Sequence, residues 1–316
     1  MEGISTPEEM RIFNESEDKF FDVALRNVVV FKKKTVFVEI GSGTGRYLVR
    51  CLKKTFTDRT YSTYLSWIVG VDFSLKMIER SVEKIVNSIP EFAASAGVDQ
   101  RMVEKELIER VTLINADATR PFLQVEGDVL TLVGIMFGTL GNLTPESREA
   151  VLHSMRKLID HGGEGIITVF DAEDRNIGQL TYEAIKNLVG RELRWDESAG
   201  AFVTQDKGFY SHWFKEEEFI DLLKKSRFTE ILERGRIGER GIAVRISTPR
   251  GREAIVKAYR GQARLLLQCP RCSQNLCNLP LPDRWSLRCD TCSTKYQIAR
   301  KGVFRIPILV KTDEYS

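Results

Sequence analysis

Val36-Phe37-Val38-Glu39-Ile40-Gly41-Ser42-Gly43-Thr44-Gly45-Arg46 is the stretch on which the reading of this chain turns. It opens with β-branched and alternating apolar residues, which is strand chemistry. Three glycines then follow, spaced by Ser42 and Thr44, so the backbone can turn sharply and a ligand can approach it closely. Tyr47, Leu48, Cys51 and Leu52 next fall at helical spacing. A strand, a glycine turn and a helix open a nucleotide-binding βαβ unit. The dinucleotide fingerprint G-x-G-x-x-G requires glycine at position 46, where Arg46 stands.

The same residues, read as E-x-G-x-G-x-G from Glu39, resemble motif I of the class I S-adenosylmethionine-dependent methyltransferases. That resemblance implies an α/β fold, a Rossmann-like doubly wound seven-stranded sheet with its last strand antiparallel. It assigns Glu39, Gly41, Ser42, Gly43, Thr44 and Gly45 to the cofactor. The second strand, Ser66–Val71, ends in Asp72 and Phe73, and Ser74 precedes a helical run. A carboxylate in that place accepts hydrogen bonds from a nucleoside's ribose hydroxyls; the competing reading is an N-cap for the next helix. Thr57–Thr63 is polar and reads as a loop insertion between these elements. A third strand, Val111–Asn115, runs into Ala116-Asp117-Ala118. The resemblance places Asp117 and Ala118 at the adenine edge, and an acceptor-only carboxylate suits an exocyclic amine.

A fourth strand, Gly127–Gly134, leads into Ile135-Met136-Phe137-Gly138-Thr139-Leu140-Gly141-Asn142-Leu143, where the resembling family carries its motif IV. Gly134 and Met136 are thereby assigned to the cofactor, and Phe137 and Asn142 to the acceptor pocket. The Asp/Asn-Pro-Pro-Tyr/Phe signature of the amino-methylating DNA enzymes is absent; the F-G-T-L-G-N-L form is closer to the branch acting on small molecules. Thr144-Pro145-Glu146 starts a helix, Gly165–Asp171 reads as a fifth strand, and 231–234 with 241–247 read as a closing hairpin. The mixed text of 172–208, with Tyr182, Trp195 and Phe202, stands where the family inserts substrate lids. Tyr210 and Trp213 join the acceptor side. His212 between them is the candidate general base, against the plainer reading of a packed histidine. At the other end of the chain, Thr6-Pro7 with Glu9 reads as a helix start, and Phe13, Phe20, Phe21, Val23 and Leu25 as the helix face turned to the sheet. In the family such a leading helix often closes over the cofactor.

Cys269-Pro-Arg-Cys272 and Cys289-Asp-Thr-Cys292 have sixteen residues between them, inside the C-x₂-C-x₁₅₋₂₀-C-x₂-C zinc pattern. Four thiolates leave no open position on a tetrahedral ion, so the zinc is expected to be structural. Cys277 is a spare thiol. Leu265–Val310 resembles the small zinc-ribbon partner protein that activates several tRNA, rRNA and release-factor methyltransferases, here fused in cis. The division expected is a methyltransferase domain over 1–250 and a zinc ribbon over 251–316. The charge of +3 is too small to imply nucleic acid by itself, although a basic stretch runs from Lys257 to Arg264. No run is long enough for a membrane span, the acidic start is unlike a signal peptide, and paired cysteines suit a reducing compartment, so a cytoplasmic protein is expected. The leading functional expectation is methyl transfer from S-adenosylmethionine to a small-molecule acceptor. An RNA or translation-protein acceptor, recruited through the ribbon, and a non-catalytic cofactor-binding module are the alternatives.

Overall fold

The computed structural model describes residues 8–172, 192–204, 209–256, 263–278, 281 and 285–310. The Thr6-Pro7 helix start, Tyr182 and most of the basic stretch from Lys257 lie outside them. In chain order the elements are α1 (Glu8–Val29), β1 (Lys34–Ile40), α2 (Arg46–Thr57), α3 (Arg59–Tyr64), β2 (Leu65–Asp72), α4 (Leu75–Asn87), α5 (Ile89–Ala96), α6 (Gln100–Arg110), β3 (Val111–Asn115), β4 (Leu123–Glu126) and β5 (Val129–Ile135). A 3₁₀ turn (Thr139–Asn142) precedes α7 (Pro145–Ile159), β6 (Gly163–Phe170), β7 (Leu193–Asp196), β8 (Ala201–Thr204), β9 (Tyr210–His212), α8 (Glu216–Lys225), β10 (Glu230–Ile237) and β11 (Gly241–Ser247). The chain ends in α9 (Pro249–Val256), β12 (Arg264–Gln268), β13 (Asn275–Asn278), β14 (Ser286–Arg288), β15 (Lys295–Lys301) and β16 (Phe304–Ile308).

β1 is the centre of the main sheet, pairing in parallel with β2 (Val38 opposite Val69) and β5 (Val38 opposite Val133). The strand order is β10-β11-β6-β5-β1-β2-β3-β16-β15-β14. β3, β2, β1, β5 and β6 are parallel neighbours, and β11 enters antiparallel between β6 and β10. This is the Rossmann-like, doubly wound arrangement of the class I methyltransferases. Successive side chains of a strand point to opposite faces, and the two cores follow that alternation. Val36, Val38 and Ile40 pack with α7 and α8 through Leu152, Met155 and Phe219. Phe37 faces the other way, among Phe21 and Leu25 of α1 and Leu48 and Leu52 of α2.

Two differences from the sequence reading have local causes. The 57–63 segment is not a plain loop: Asp58 caps α3 by accepting from the Thr60 N–H at 2.7 Å, and Tyr61 is buried. The strands around the cysteines are also shared with the rest of the chain: β14, β15 and β16 extend the main sheet, and β12 and β13 form a three-stranded sheet with β4. β16 lies parallel to β3, with Ile308 opposite Asn115, and β12 pairs antiparallel with β4, Leu267 opposite Leu123. An open sheet edge invites another strand, and the chain's own C-terminal segment takes that place at β3. Among the described residues no helix is long and apolar enough to cross a membrane.

Candidate active site and cysteine cluster

All three glycines of the loop after β1 have left-handed φ angles, +71° at Gly41, +52° at Gly43 and +73° at Gly45, which L-residues with a side chain adopt at a cost. A Cβ at Gly41 would stand 2.3 Å from Thr139 Cγ2, and one at Gly45 would stand 3.0 Å from Ser81 Oγ. At Gly43 it would meet nothing within 4 Å. Gly41 and Gly45 thus pack the loop, and Gly43 leaves open a cradle at the mouth of α2. Asp72 fixes that cradle: its Oδ2 accepts from the Gly43 N–H and its Oδ1 from the Ser74 N–H, both at 2.8 Å. The N-cap of α4 is Ser74, which accepts from Met77 N, so Asp72 is not that helix's cap.

The loop opens onto a cavity of about 800 Å³. Glu39, Gly41, Ser42, Gly43, Thr44, Asp72 and Met77 line one end; Phe13, Phe137, Asn142, Phe170, Phe209 and Trp213 line the other, with Met136 and Thr139 also in the wall. The rings form a continuous wall: Phe13 is 5.2 Å from Phe170 and 5.7 Å from Phe137, and Trp213 stacks on Phe170 at 5.1 Å. Three polar atoms of these lining residues are buried without a hydrogen-bond partner: Glu39 Oε2, Ser42 Oγ and Trp213 Nε1. Native proteins rarely leave such atoms unpaired; Glu39 Oε2 and Ser42 Oγ stand at the loop end, where the amino-acid portion of a nucleoside cofactor needs polar partners, and Trp213 Nε1 stands among the rings. Burial first, then the Glu17 and Asp72 carboxylates, push the Glu39 carboxyl well up from its ordinary value, with Arg46 and Lys84 opposing. Burial also raises Asp72, against the two N–H groups it accepts from.

The other expected residues are distributed as follows. Gly134 sits within β5, close under the Phe37 ring. Phe73 is half exposed beyond Asp72. Asp117 turns back to accept from the Thr119 N–H and hydroxyl at 2.9 and 2.7 Å, with Ala118 beside it, and neither is in the cavity wall. Tyr210 points to Arg148, whose Nη2 donates to its hydroxyl at 3.2 Å. His212 has both ring nitrogens engaged, Nδ1 with Ala199 O and Nε2 with Glu218 Oε1, each at 2.8 Å. Its ring lines a second cavity behind Trp213, with Trp195 and Phe202.

Sequence reasoning missed four residues here: Glu17, Arg46, Tyr47 and Thr168. Glu17 is fully buried and binds the other three. The signal that points to this contact is charge spacing: Asp18 and Asp22 on α1 face Arg46, Arg50 and Lys54 on α2.

The cysteine pairs meet as the spacing requires. The sulfurs of Cys269, Cys272, Cys289 and Cys292 all lie within 4.8 Å of one another, with Cys269–Cys292 at 3.6 Å and Cys272–Cys289 at 3.4 Å. Four thiolates ~2.3 Å from a tetrahedral zinc ion stand about 3.8 Å apart, so the cluster fits such an ion. The two knuckles repeat each other. Ser273 and Ser293 are both left-handed, and their N–H groups donate to Cys269 O and Cys289 O at 2.8 Å. Cys277 is outside the cluster, in β13.

The profile of a family described as histidine-specific methyltransferase, SAM-dependent, matches residues 4–186, more than half of the chain. Among solved structures, an S-adenosylmethionine-dependent methyltransferase from Methanosarcina mazei is 16% identical with a TM-score of 0.44, covering 68% of this chain and 93% of its own. The methyltransferase domain of bacterial CtHen1 is 16% identical with a TM-score of 0.45, covering 74% and 99%. The 1,6-didemethyltoxoflavin-N1-methyltransferase of Burkholderia thailandensis is 15% identical with a TM-score of 0.40, covering 78% and 92%. A search of curated proteins finds no match. The chain belongs to the family of histidine-specific, S-adenosylmethionine-dependent methyltransferases.

Proposed function

We propose that this enzyme methylates a small-molecule amine, with histidine the first acceptor to test because the family's description names it. The observation that carries the reading is the aromatic end of the cavity. Phe13, Phe137, Phe170, Phe209 and Trp213 surround it. The whole cavity has the size of a small-ligand site, and Met10, Ile12, Phe13 and Asn14 of α1 line it. S-adenosylmethionine, when bound, supplies an electrophilic methyl group on a sulfonium. Glu39, Ser42 and the Gly43 cradle would hold its amino-acid end and Asp72 its ribose. Asp117 and Ala118 remain the candidates for adenine. The aromatic walls desolvate the acceptor and hold it for in-line attack. A flat heterocycle stacks on such walls, and an ammonium is attracted to ring faces. Asn142, Glu239 and Arg240 add the few polar groups that orient a ligand. We further propose that the four-cysteine cluster holds one structural zinc ion, which ties the two knuckles together.

The test uses methyl-labelled S-adenosylmethionine with histidine, a panel of small amines, and RNA and protein fractions of an extract. Label in histidine or another small amine supports the reading. Label confined to RNA or protein overturns it and makes the cysteine module a recruiting element. Asp72→Ala is expected to weaken binding of the methyl donor strongly, read by calorimetry; unchanged affinity removes Asp72 from the cofactor site.

A further inference from the structure

The aromatic wall depends on a buried group that no motif marks. Glu17 of α1 is fully buried. Its Oε1 accepts from the Phe137 N–H at 2.8 Å and from the Thr168 hydroxyl. Its Oε2 accepts from the Tyr47 hydroxyl at 2.7 Å and from Arg46 Nη1 at 3.2 Å. One carboxylate therefore gathers donors from α2, from β6 and from the loop after β5. An ionised carboxylate accepts only, and all four partners donate.

Phe137 is left-handed at φ +53°, a conformation uncommon for a bulky residue and one that persists only where neighbours hold it. Its ring forms part of the cavity wall and its N–H is held by both Glu17 Oε1 and Thr168 Oγ1, each at 2.8 Å. Phe13 lies four residues before Glu17 and hence on the same helical face, with its ring against Phe137 and Phe170. Docking of α1 thus delivers one aromatic wall and pins the next.

We infer that Glu17 is a positioning residue for the methyl acceptor: it holds the left-handed Phe137 turn and couples that wall to the glycine-loop helix through Tyr47 and Arg46. This rests on the aromatic end being the acceptor's place. The variants are Glu17→Gln, which keeps the shape but turns an NH₂ group toward donors, and Thr168→Val, which acts only on the Phe137 side. Should Glu17→Gln fail to fold, Thr168→Val carries the test.

Both variants are expected to speed amide hydrogen exchange over residues 136–142 in the absence of acceptor. Both should raise KM for histidine by roughly tenfold, the loss of about one hydrogen bond's worth of positioning, while Thr168→Val leaves donor affinity within about threefold. Exchange or KM unmoved in both variants overturns the inference. So does an equal loss of donor affinity and acceptor KM in Thr168→Val, because the contact would then serve the fold at large. If the wild-type enzyme refuses histidine, the acceptor reading falls, and the exchange rates alone decide the role of Glu17.

Discussion

Glu39 carries the sharpest electrostatic consequence of the glycine loop. It is buried, its Oε2 has no partner among the described residues, and its carboxyl is pushed well above the ordinary value of 4.5. Above that pH the unfolded chain has released a proton that the folded chain still holds. Stability contributed by this group is therefore complete at low pH and is lost as pH rises through the raised value, at about 1.4 kcal/mol per pH unit for one proton. The unliganded protein should melt at falling temperature across that window. Glu39→Gln, neutral and isosteric, should flatten the slope in thermal scans, and parallel slopes for the two proteins would refute the assignment. Gly43 makes a second prediction at this scale. Gly43→Ala costs the left-handed strain of roughly 1–2 kcal/mol but meets no neighbouring atom. It should fold, while its methyl fills the cradle and lowers donor affinity out of proportion to the change in Tm. Gly41→Ala, driven into Thr139, should instead lose stability first.

At the scale of elements, α1 is held over the site by two kinds of force. Phe21, Ala24, Leu25 and Val28 bury its C-terminal half in the core. Its N-terminal half docks through Phe13 and the buried Glu17, and charge ties down the middle of the helix: Asp18 to Arg50 at 2.8 Å, Asp22 to Arg50 at 2.8 Å and to Lys54 at 3.1 Å, and Arg46 Nη2 to Asn14 O at 2.6 Å. Pairs of this half-buried kind contribute roughly 1 kcal/mol or less each and weaken with salt. Raising salt, or the double change Asp18→Asn with Asp22→Asn, should therefore speed amide exchange over residues 8–18 more than over residues 21–29. Amide exchange along α1 reads this directly, and uniform protection at high salt would show that apolar packing alone holds the helix. The sequence showed the strand–turn–helix opening and the apolar face of α1, because periodicity and glycine spacing are local properties. It did not show Glu17, because a lone acid in a charged helix gains its meaning only from donors far away in the chain. Nor did it show α3, since a short polar helix depends on the Asp58 cap and the burial of Tyr61.

Across the whole molecule, the spacing of the four cysteines foretold their meeting, whereas their attachment to the sheet was not legible. An edge strand bears no mark of its future neighbour, and the pairing of β16 with β3 joins segments far apart in the chain. That pairing has consequences for the proposed zinc ion. Leu309 N–H donates to Asn115 O at 2.8 Å, Gln268 N–H donates to Phe122 O at 3.0 Å, and β12 lies along β4. Residues 116–122, with Asp117 and Ala118, are thus strapped at both ends by strands of the cysteine module. Cys269 and Cys289 are buried in the same core as Phe122, Val125 and Val133. A module so short has little core without its ion, yet here part of its core is the enzyme's own. Chelation, or Cys272→Ser, should release zinc, lower the melting temperature of the entire chain in one calorimetric transition, and weaken donor binding through the 116–122 segment. Two transitions, with the upper one and donor affinity unchanged by chelation, would mean that the strands of the module pair with the sheet without supporting it. A single shared transition would make the proposed ion part of the methyltransferase fold, since the strands that flank its ligands are joined to the β3 edge through β16 and to β4 through β12.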